Sequence, residues 1–198
     1  MKNLNSKKSQ RYLQKTWHLL RILAMKDQYT YIHSKNTAEY SVAFARALDL
    51  SYDMVTDMYI AGWLHDIGKL YLPTDLLQKP AALTTAEYDQ VKKHVQYGLD
   101  IVAIYKLPPM VINSIKYHHE RFDGLGYPFQ ISGADTPLEG RIIQITDAYS
   151  AITNKRVYRN PLSLSNAIDE LEQNSGTQFD PELLPVFIRI LMSRGQRC

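Results

Sequence analysis

Apolar residues recur three and four positions apart through almost the whole of this sequence, and no convincing stretch alternates with the period of two that a half-buried strand requires. That pattern confines the chain to packed helices, so the expected class is all-α, with about seven to eight helices. Helical spacing covers residues 6–26, a segment after Ser34 running through Val42, Phe44, Ala45 and Leu48, and a third after Ser51 that carries Met54, Val55, Met58, Ile60, Ala61 and Leu64 and is closed by Gly68. Pro73 and Pro80 bracket a loop or short turn. Thr84 followed by Glu87 reads as a capping box opening a long helix to about Lys106. Pro108-Pro109 opens the next, which ends near His119, and helices resume at 139–153, 163–173 and 181–193, the last started by Asp180-Pro181. Residues 120–138 are different: Gly124, Gly126, Pro128, Gly133 and Pro137 make them a long irregular loop, which compact domains often reserve for function.

Neither a repeat nor an interdomain linker interrupts the 198 residues. One domain is expected over 1–198, with a basic helix or extension at 1–25 and the main core at about 26–190. No apolar run approaches the roughly 20 residues that span a bilayer, and no signal-type segment is legible, so no membrane span is expected and the cytoplasm is the expected compartment. The single Cys198 excludes an internal disulfide and a cysteine-rich metal site. A net charge of +3 does not call for DNA or RNA as a partner. Residues 1–26 nevertheless carry seven Lys or Arg and no acid, either a solvated helix face or a contact arm for an anionic partner.

The chemistry-bearing residues are few. Five of the six histidines sit near Asp66 or on apolar helix faces; His18 does not. Asp66 is expected in a last helical turn, where the macrodipole disfavours a carboxylate, so a cation should compensate it, either Lys69 or a metal ion. Asp147 lies one turn from both Ile143 and Ala151. A charge on such a face is costly unless coordinated, or paired with Arg141 or Arg156. His94 and the His118-His119 pair could each be a hydrogen-bonded core residue or a helix cap. Taken jointly, His33, His65, Asp66, His94, His118, His119 and Asp147 suit a site for two ions of the iron, manganese, zinc or nickel type, with a carboxylate able to bridge them. Such pairs lie roughly 3.5–4 Å apart and clamp an in-line phosphoryl displacement.

His65-Asp66-Ile67-Gly68-Lys69 resembles the signature of the HD superfamily of metal-dependent phosphohydrolases, and the run from His118 to Pro128 resembles the second signature of its HD-GYP branch. Tyr29 to Ser34, Leu77 to Pro80, Lys93-His94 with Gly98, Arg141 to Asp147, Arg156 to Arg159 and Phe179-Asp180-Pro181 agree in order, so the resemblance covers about residues 20–190. It implies a compact HD-domain fold around a metal site. It also implies hydrolysis of cyclic di-GMP, a bacterial signalling molecule, to linear pGpG and on to GMP. The resemblance assigns His33, His65, Asp66 and Asp147 to one ion, and Asp66, His94, His118 and His119 to a second. The ions would be iron or manganese, with a hydroxide between them attacking phosphorus. Asp66 and Lys69 would be the catalytic pair, with Lys69 stabilising phosphoryl oxygens; its bland alternative is an ion pair with Asp66. Tyr127, Arg156 and Arg159 would contact substrate. Gly126, Tyr127 and Pro128 would form a loop at the site's rim that is also able to bind a protein partner.

Two positions depart from the family's pattern. Tyr29 stands where some members carry a Glu that supports a third ion, so a binuclear site is expected. Ser150 stands where an Asp often follows the last ligand, which should alter tuning more than metal binding. Two rival functions remain at this point: an HD phosphohydrolase acting on another cyclic nucleotide or dinucleotide, and a non-catalytic metal-bearing module that binds cyclic di-GMP or a partner.

Overall fold

The computed structural model describes residues 7–154 and 160–195. Among them the architecture is all-α, and no strand is present. The helices are α1 (Lys7–Lys26), α2 (Gln28–Ala47), α3 (Tyr52–Leu64), α4 (Thr74–Leu77), α5 (Thr85–Lys92), α6 (His94–Ala103), α7 (Pro109–Tyr117), α8 (Leu138–Thr153), α9 (Leu164–Gln173) and α10 (Leu184–Gly195), with 3-10 turns at Ile67–Tyr71 and Gly133–Asp135. Ten segments exceed the expected count because the one-turn α4 lies inside the Pro73–Pro80 loop and the long helix after Thr84 is two helices.

That division has a packing cause. No residue of α5 is buried, whereas α6 buries His94, Val95, Gly98 and Val102. The chain turns at Lys93 to lay only its second half on the core. The expected capping box is present: Glu87 N donates to Thr84 Oγ1 at 3.3 Å and Thr84 N to Glu87 Oε2 at 2.7 Å. α2 begins earlier than its apolar pattern suggests, because Asp27 caps it by accepting from Thr30 N at 3.2 Å. Its buried face carries Thr30, His33, Ser34, Thr37 and Ser41, so periodicity in apolar residues could not mark it. α10 begins after a turn in which Asp180 Oδ1 accepts from Glu182 N and Leu183 N, three residues beyond the expected start.

α2 and α3 form the central pair, with α7 and α8 packed on them. The pair is close because a Cβ on Gly62 would lie 2.4 Å from the Ala38 Cα. This contact brings the helix bearing His33 against the end of the helix leading to His65. Gly68 does the same for the next layer: its Cβ would fall 1.8 Å from the His94 carbonyl oxygen, so any side chain there would push α6 off the turn after Asp66. Phe44, Met58, Ile60, Leu64, Ile115, Ile142, Ile143 and Phe187 fill the core, and α1 adds Leu19, Leu20 and Leu23 to it. Lys26, at the end of α1, donates to the carbonyls of Leu70 (2.6 Å) and Leu72 (2.5 Å), satisfying the end of the Ile67–Tyr71 turn. No described helix is long and apolar enough to cross a membrane.

Candidate metal centre

Five helices or their ends deliver the seven expected residues to one place. His33 comes from the middle of α2 and Asp147 from the middle of α8, while His65-Asp66 follow α3, His118-His119 follow α7 and His94 opens α6. The two oxygens of Asp66 face different neighbours. Oδ2 lies 3.4 Å from His65 Nε2 and 3.7 Å from His33 Nε2, and Oδ1 lies 3.3 Å from His94 Nε2. Asp147 Oδ1 joins the first side, 2.6 Å from His33 Nε2 and 3.5 Å from His65 Nε2. One ligand atom each from Asp66, His94, His118 and His119 fall within 4.8 Å of one another, and so do one each from His33, His65 and Asp66.

Helix ends explain why the imidazoles point inward. The last carbonyls of a helix lack intrahelical donors. His65 Nδ1 meets Gly62 O at 2.8 Å, His94 Nδ1 meets Val91 O at 2.7 Å, and His118 Nδ1 meets Ile115 O at 2.9 Å. A carbonyl only accepts, so each Nδ1 carries a proton; the neutral His94 and His118 rings thereby present an Nε2 lone pair to the centre, and His65 does so once its Nε2 gives up the proton that Asp66 and Asp147 hold there. His33 has a different partner. Ser150 Oγ lies 2.9 Å from His33 Nδ1 and 3.2 Å from His33 O, Asn154 Nδ2 donates to Ser150 Oγ at 2.9 Å, and Asn36 Nδ2 donates to Asn154 Oδ1 at 2.7 Å. Asp147 Oδ1, 2.6 Å from His33 Nε2, accepts a proton held there, and Ser150 then donates to Nδ1; with an ion on Nε2 the proton would move to Nδ1, and Ser150, its own proton on the His33 carbonyl, would accept from both Asn154 and Nδ1. Nothing in the sequence singled out Asn36 or Asn154; the only available signal was the one-turn spacing of Ser150 and Asn154.

The inward lone pairs fit a cation. His94 Nε2 and His118 Nε2 stand 3.3 Å apart, with the proton of each ring held on its far nitrogen. His65 Nε2 and Asp66 Oδ1 are buried without a hydrogen-bond partner. Buried polar atoms left in that state are costly, and a divalent ion held by these nitrogens and the carboxylates would satisfy them. The electrostatics agree. Burial, and then the neighbouring imidazoles or Lys69, pushes His94 down to about 4 and His119 to about 3, with His118 also held well below its usual range. Burial opposes the charge on His65 too, but Asp66 and Asp147 outweigh it and raise that ring to about 10. Burial likewise opposes the charges of Asp66 and Asp147, yet Lys69 and the imidazoles hold Asp66 well below the carboxylate range, and His33 and His65 do so for Asp147.

Of the two cations expected for Asp66, Lys69 is in place: its Nζ lies 2.5 Å from Asp66 Oδ2. Arg141 is no partner for Asp147, because its guanidinium pairs with Asp180 and its Nε donates to Thr136 O at 2.9 Å. Arg156 and Arg159 lie outside the described residues. Tyr127 closes the site. Its N–H donates to the His119 carbonyl at 3.1 Å, and its ring stacks on the His119 ring with centroids 4.6 Å apart. Burial, with Tyr88, Asp66 and Asp147 nearby, pushes its phenol up, so it stays a donor. Gly126 has no room for a Cβ, which would lie 2.4 Å from Arg121 N, and beyond Pro128 the loop is tied back by Phe129 N donating to the buried Glu120 Oε1 at 2.7 Å. Tyr29 lies flat against His33, with rings 6.0 Å apart and 7° from parallel.

Known proteins resemble this chain. A cyclic di-GMP phosphodiesterase of Pseudomonas aeruginosa is 35% identical over 174 residues, covering 86% of this chain and 42% of that protein. A 3'3'-cGAMP-specific phosphodiesterase of Vibrio cholerae is 33% identical over 169 residues, covering 85% of this chain and 39% of its own length. The chain thus spans less than half of either relative. The solved HDG"Y"P protein of Bdellovibrio bacteriovorus superposes with a TM-score of 0.68 at 16% identity, over 93% of this chain and 69% of that one, which shows a shared fold. The HD domain family model matches residues 18–183, a span that contains every one of the seven clustered residues, and the chain belongs to that family.

Proposed function

We propose that this chain is a metal-dependent phosphodiesterase that opens cyclic di-GMP to linear pGpG, with either pGpG or GMP as the end product. The observation that carries the reading is the division of Asp66: one oxygen faces His94, the other faces His33 and His65. A carboxylate so placed serves two ions. His33, His65, Asp66 and Asp147 would hold one, and Asp66, His94, His118 and His119 the other. Iron or manganese suits this imidazole and carboxylate set. Tyr29 offers a ring where a third site would need a carboxylate. Bound ions of this kind act as Lewis acids on a phosphoryl group and lower the pKa of water.

The chain's own groups supply the rest. Lys69, one-fifth exposed beside Asp66 and held charged by it, would balance the charge that grows on the phosphoryl oxygens. Water adds to phosphorus as the bond to the ribose 3'-oxygen breaks, and that oxygen takes up a proton. Tyr127 Oη, kept protonated, is a donor at the rim. Arg156 and Arg159 have the planar fork that suits a second phosphate or a guanine edge. The same loop exposes Leu125 and Phe129, which supports a protein contact there.

A second substrate is favoured by one observation, the near-equal identity to a cyclic di-GMP enzyme and to a 3'3'-cGAMP enzyme. Protein loaded with Fe(II) or Mn(II) without oxygen is expected to release pGpG or GMP, with kcat/KM highest for cyclic di-GMP in a panel of cyclic dinucleotides. Asp66→Ala should abolish turnover. Inactivity across metals and substrates would overturn the reading.

A further inference from the structure

We propose that Tyr88 and Lys92 form a purine subsite at the mouth of the metal centre, one that stacks a base of the cyclic dinucleotide and favours guanine. The inference rests on the phosphodiesterase reading above.

An aromatic ladder leads outward from the site. The His119 ring stacks on Tyr127, and Tyr127 meets Tyr88 edge to face with centroids 6.3 Å apart. Tyr88 is 46% exposed. Lys92 Nζ stands 4.8 Å from the Tyr88 ring centroid and 5.8 Å from that of Tyr127. Tyr88 and Lys92 are four residues apart and share one face of α5.

The core does not account for these two residues. α5 buries none of its residues, and Tyr88, although it meets Tyr127, leaves nearly half of its surface open. A half-exposed ring beside a phosphodiester site is a platform for a base, since every base has a π face. Lys92 adds direction. Its ammonium only donates, and guanine offers acceptors at O6 and N7, where adenine replaces O6 with an amino donor. Lys92 is already paired with Asp89 at 2.8 Å, but that pair is exposed, and such pairs are weak enough to be redirected. A dinucleotide whose scissile phosphate lies at Lys69 and Asp66 then has one base directed along the ladder, on the side of Tyr127.

The test uses the full metal-loaded chain, with steady-state kinetics on cyclic di-GMP, 3'3'-cGAMP and cyclic di-AMP, and elemental analysis of every variant. Tyr88→Ala should raise KM for cyclic di-GMP roughly five- to a hundredfold, with kcat and metal content held, and Tyr88→Phe should restore KM. Lys92→Met should cut the preference for cyclic di-GMP over cyclic di-AMP by about tenfold. Tyr52→Ala, an exposed tyrosine at the far end of α3, controls for the loss of a surface ring. If wild type turns over substrate and Tyr88→Ala keeps its KM within twofold, the subsite is wrong and the phosphodiesterase stands. If Tyr88→Ala loses metal or kcat together with KM, Tyr88 is structural and the proposal fails. If wild type turns over none of the three, the phosphodiesterase reading fails and the subsite with it.

Discussion

Ser150 stands where the sequence resemblance expects an Asp, and its hydrogen bonds show what a neutral side chain does there. The hydroxyl is fully buried between His33 and Asn154. Removing it leaves the His33 Nδ1–H and an Asn154 N–H without their acceptor, each a desolvated donor costing about 1–3 kcal/mol. Ser150→Ala is therefore expected to weaken metal binding roughly 10–100-fold, the range seen when groups supporting metal ligands are lost. Chelator competition followed by elemental analysis measures it, and unchanged affinity would show that the Asn36–Asn154–Ser150 chain does not orient His33. Asp147, His94 and the His118-His119 pair were legible because a carboxylate or imidazole on an apolar face needs a partner, and Asp66 because a helix end disfavours it; His33, on a polar face, stood out only in the ordered set of motifs. Asn36 and Asn154 violate nothing as letters. A neutral amide one turn from a serine reads as ordinary helix surface, and only the fold shows that both close on a histidine.

Among the elements, α5 buries no residue and is anchored at its first turn. Glu87 takes two bonds from Lys79 Nζ, at 2.8 and 2.7 Å, and others from Thr84, and these hold its carboxyl down at about 2. The sign follows from linkage. The unfolded carboxyl titrates near 4.5, so the unfolded state takes up the proton first as pH falls. The stabilisation is present above that value and is lost as pH drops toward 2. Urea unfolding of wild type and Glu87→Gln across this window should show the wild-type advantage shrinking with acid, and a constant difference would exclude the pairing. Taking the difference cancels the other titrating carboxylates. The capping box was readable because its chemistry is local, Thr84 to Glu87. The break at Lys93 was not, because it depends on where Gly68 lets His94 settle, a contact between segments far apart in sequence. The start of α2 was hidden for the opposite reason: its buried face is polar because it lines the site.

For the whole molecule, the metal centre is the point where α2, α3, α6, α7 and α8 meet, and the protein groups alone leave it electrostatically poor. Two imidazole nitrogens face each other at 3.3 Å, and His65 Nε2 and Asp66 Oδ1 are buried without a hydrogen-bond partner. The unfolded chain assembles no such set of ligands, so ions bound here stabilise the folded state by mass action, about 2.7 kcal/mol for one site at a free metal concentration a hundredfold above its Kd. For a chain of this size roughly 2–4 °C of Tm accompanies each kcal/mol. Chelation of Mn(II)-loaded protein is therefore expected to lower Tm by roughly 5–10 °C for each ion removed. Asp66→Ala separates this from a general effect of chelator. With Asp66 gone, each cluster loses its shared carboxylate, so the Tm of that variant should respond little to metal or chelator. Asp147→Ala removes a ligand from one side only, leaving Asp66, His94, His118 and His119 in place. Its metal-dependent shift should be intermediate. Calorimetry on the three proteins with and without metal decides the matter. Equal shifts in wild type and Asp66→Ala would mean that the stabilising ion sits elsewhere and that Asp66 is not the group shared by the two clusters.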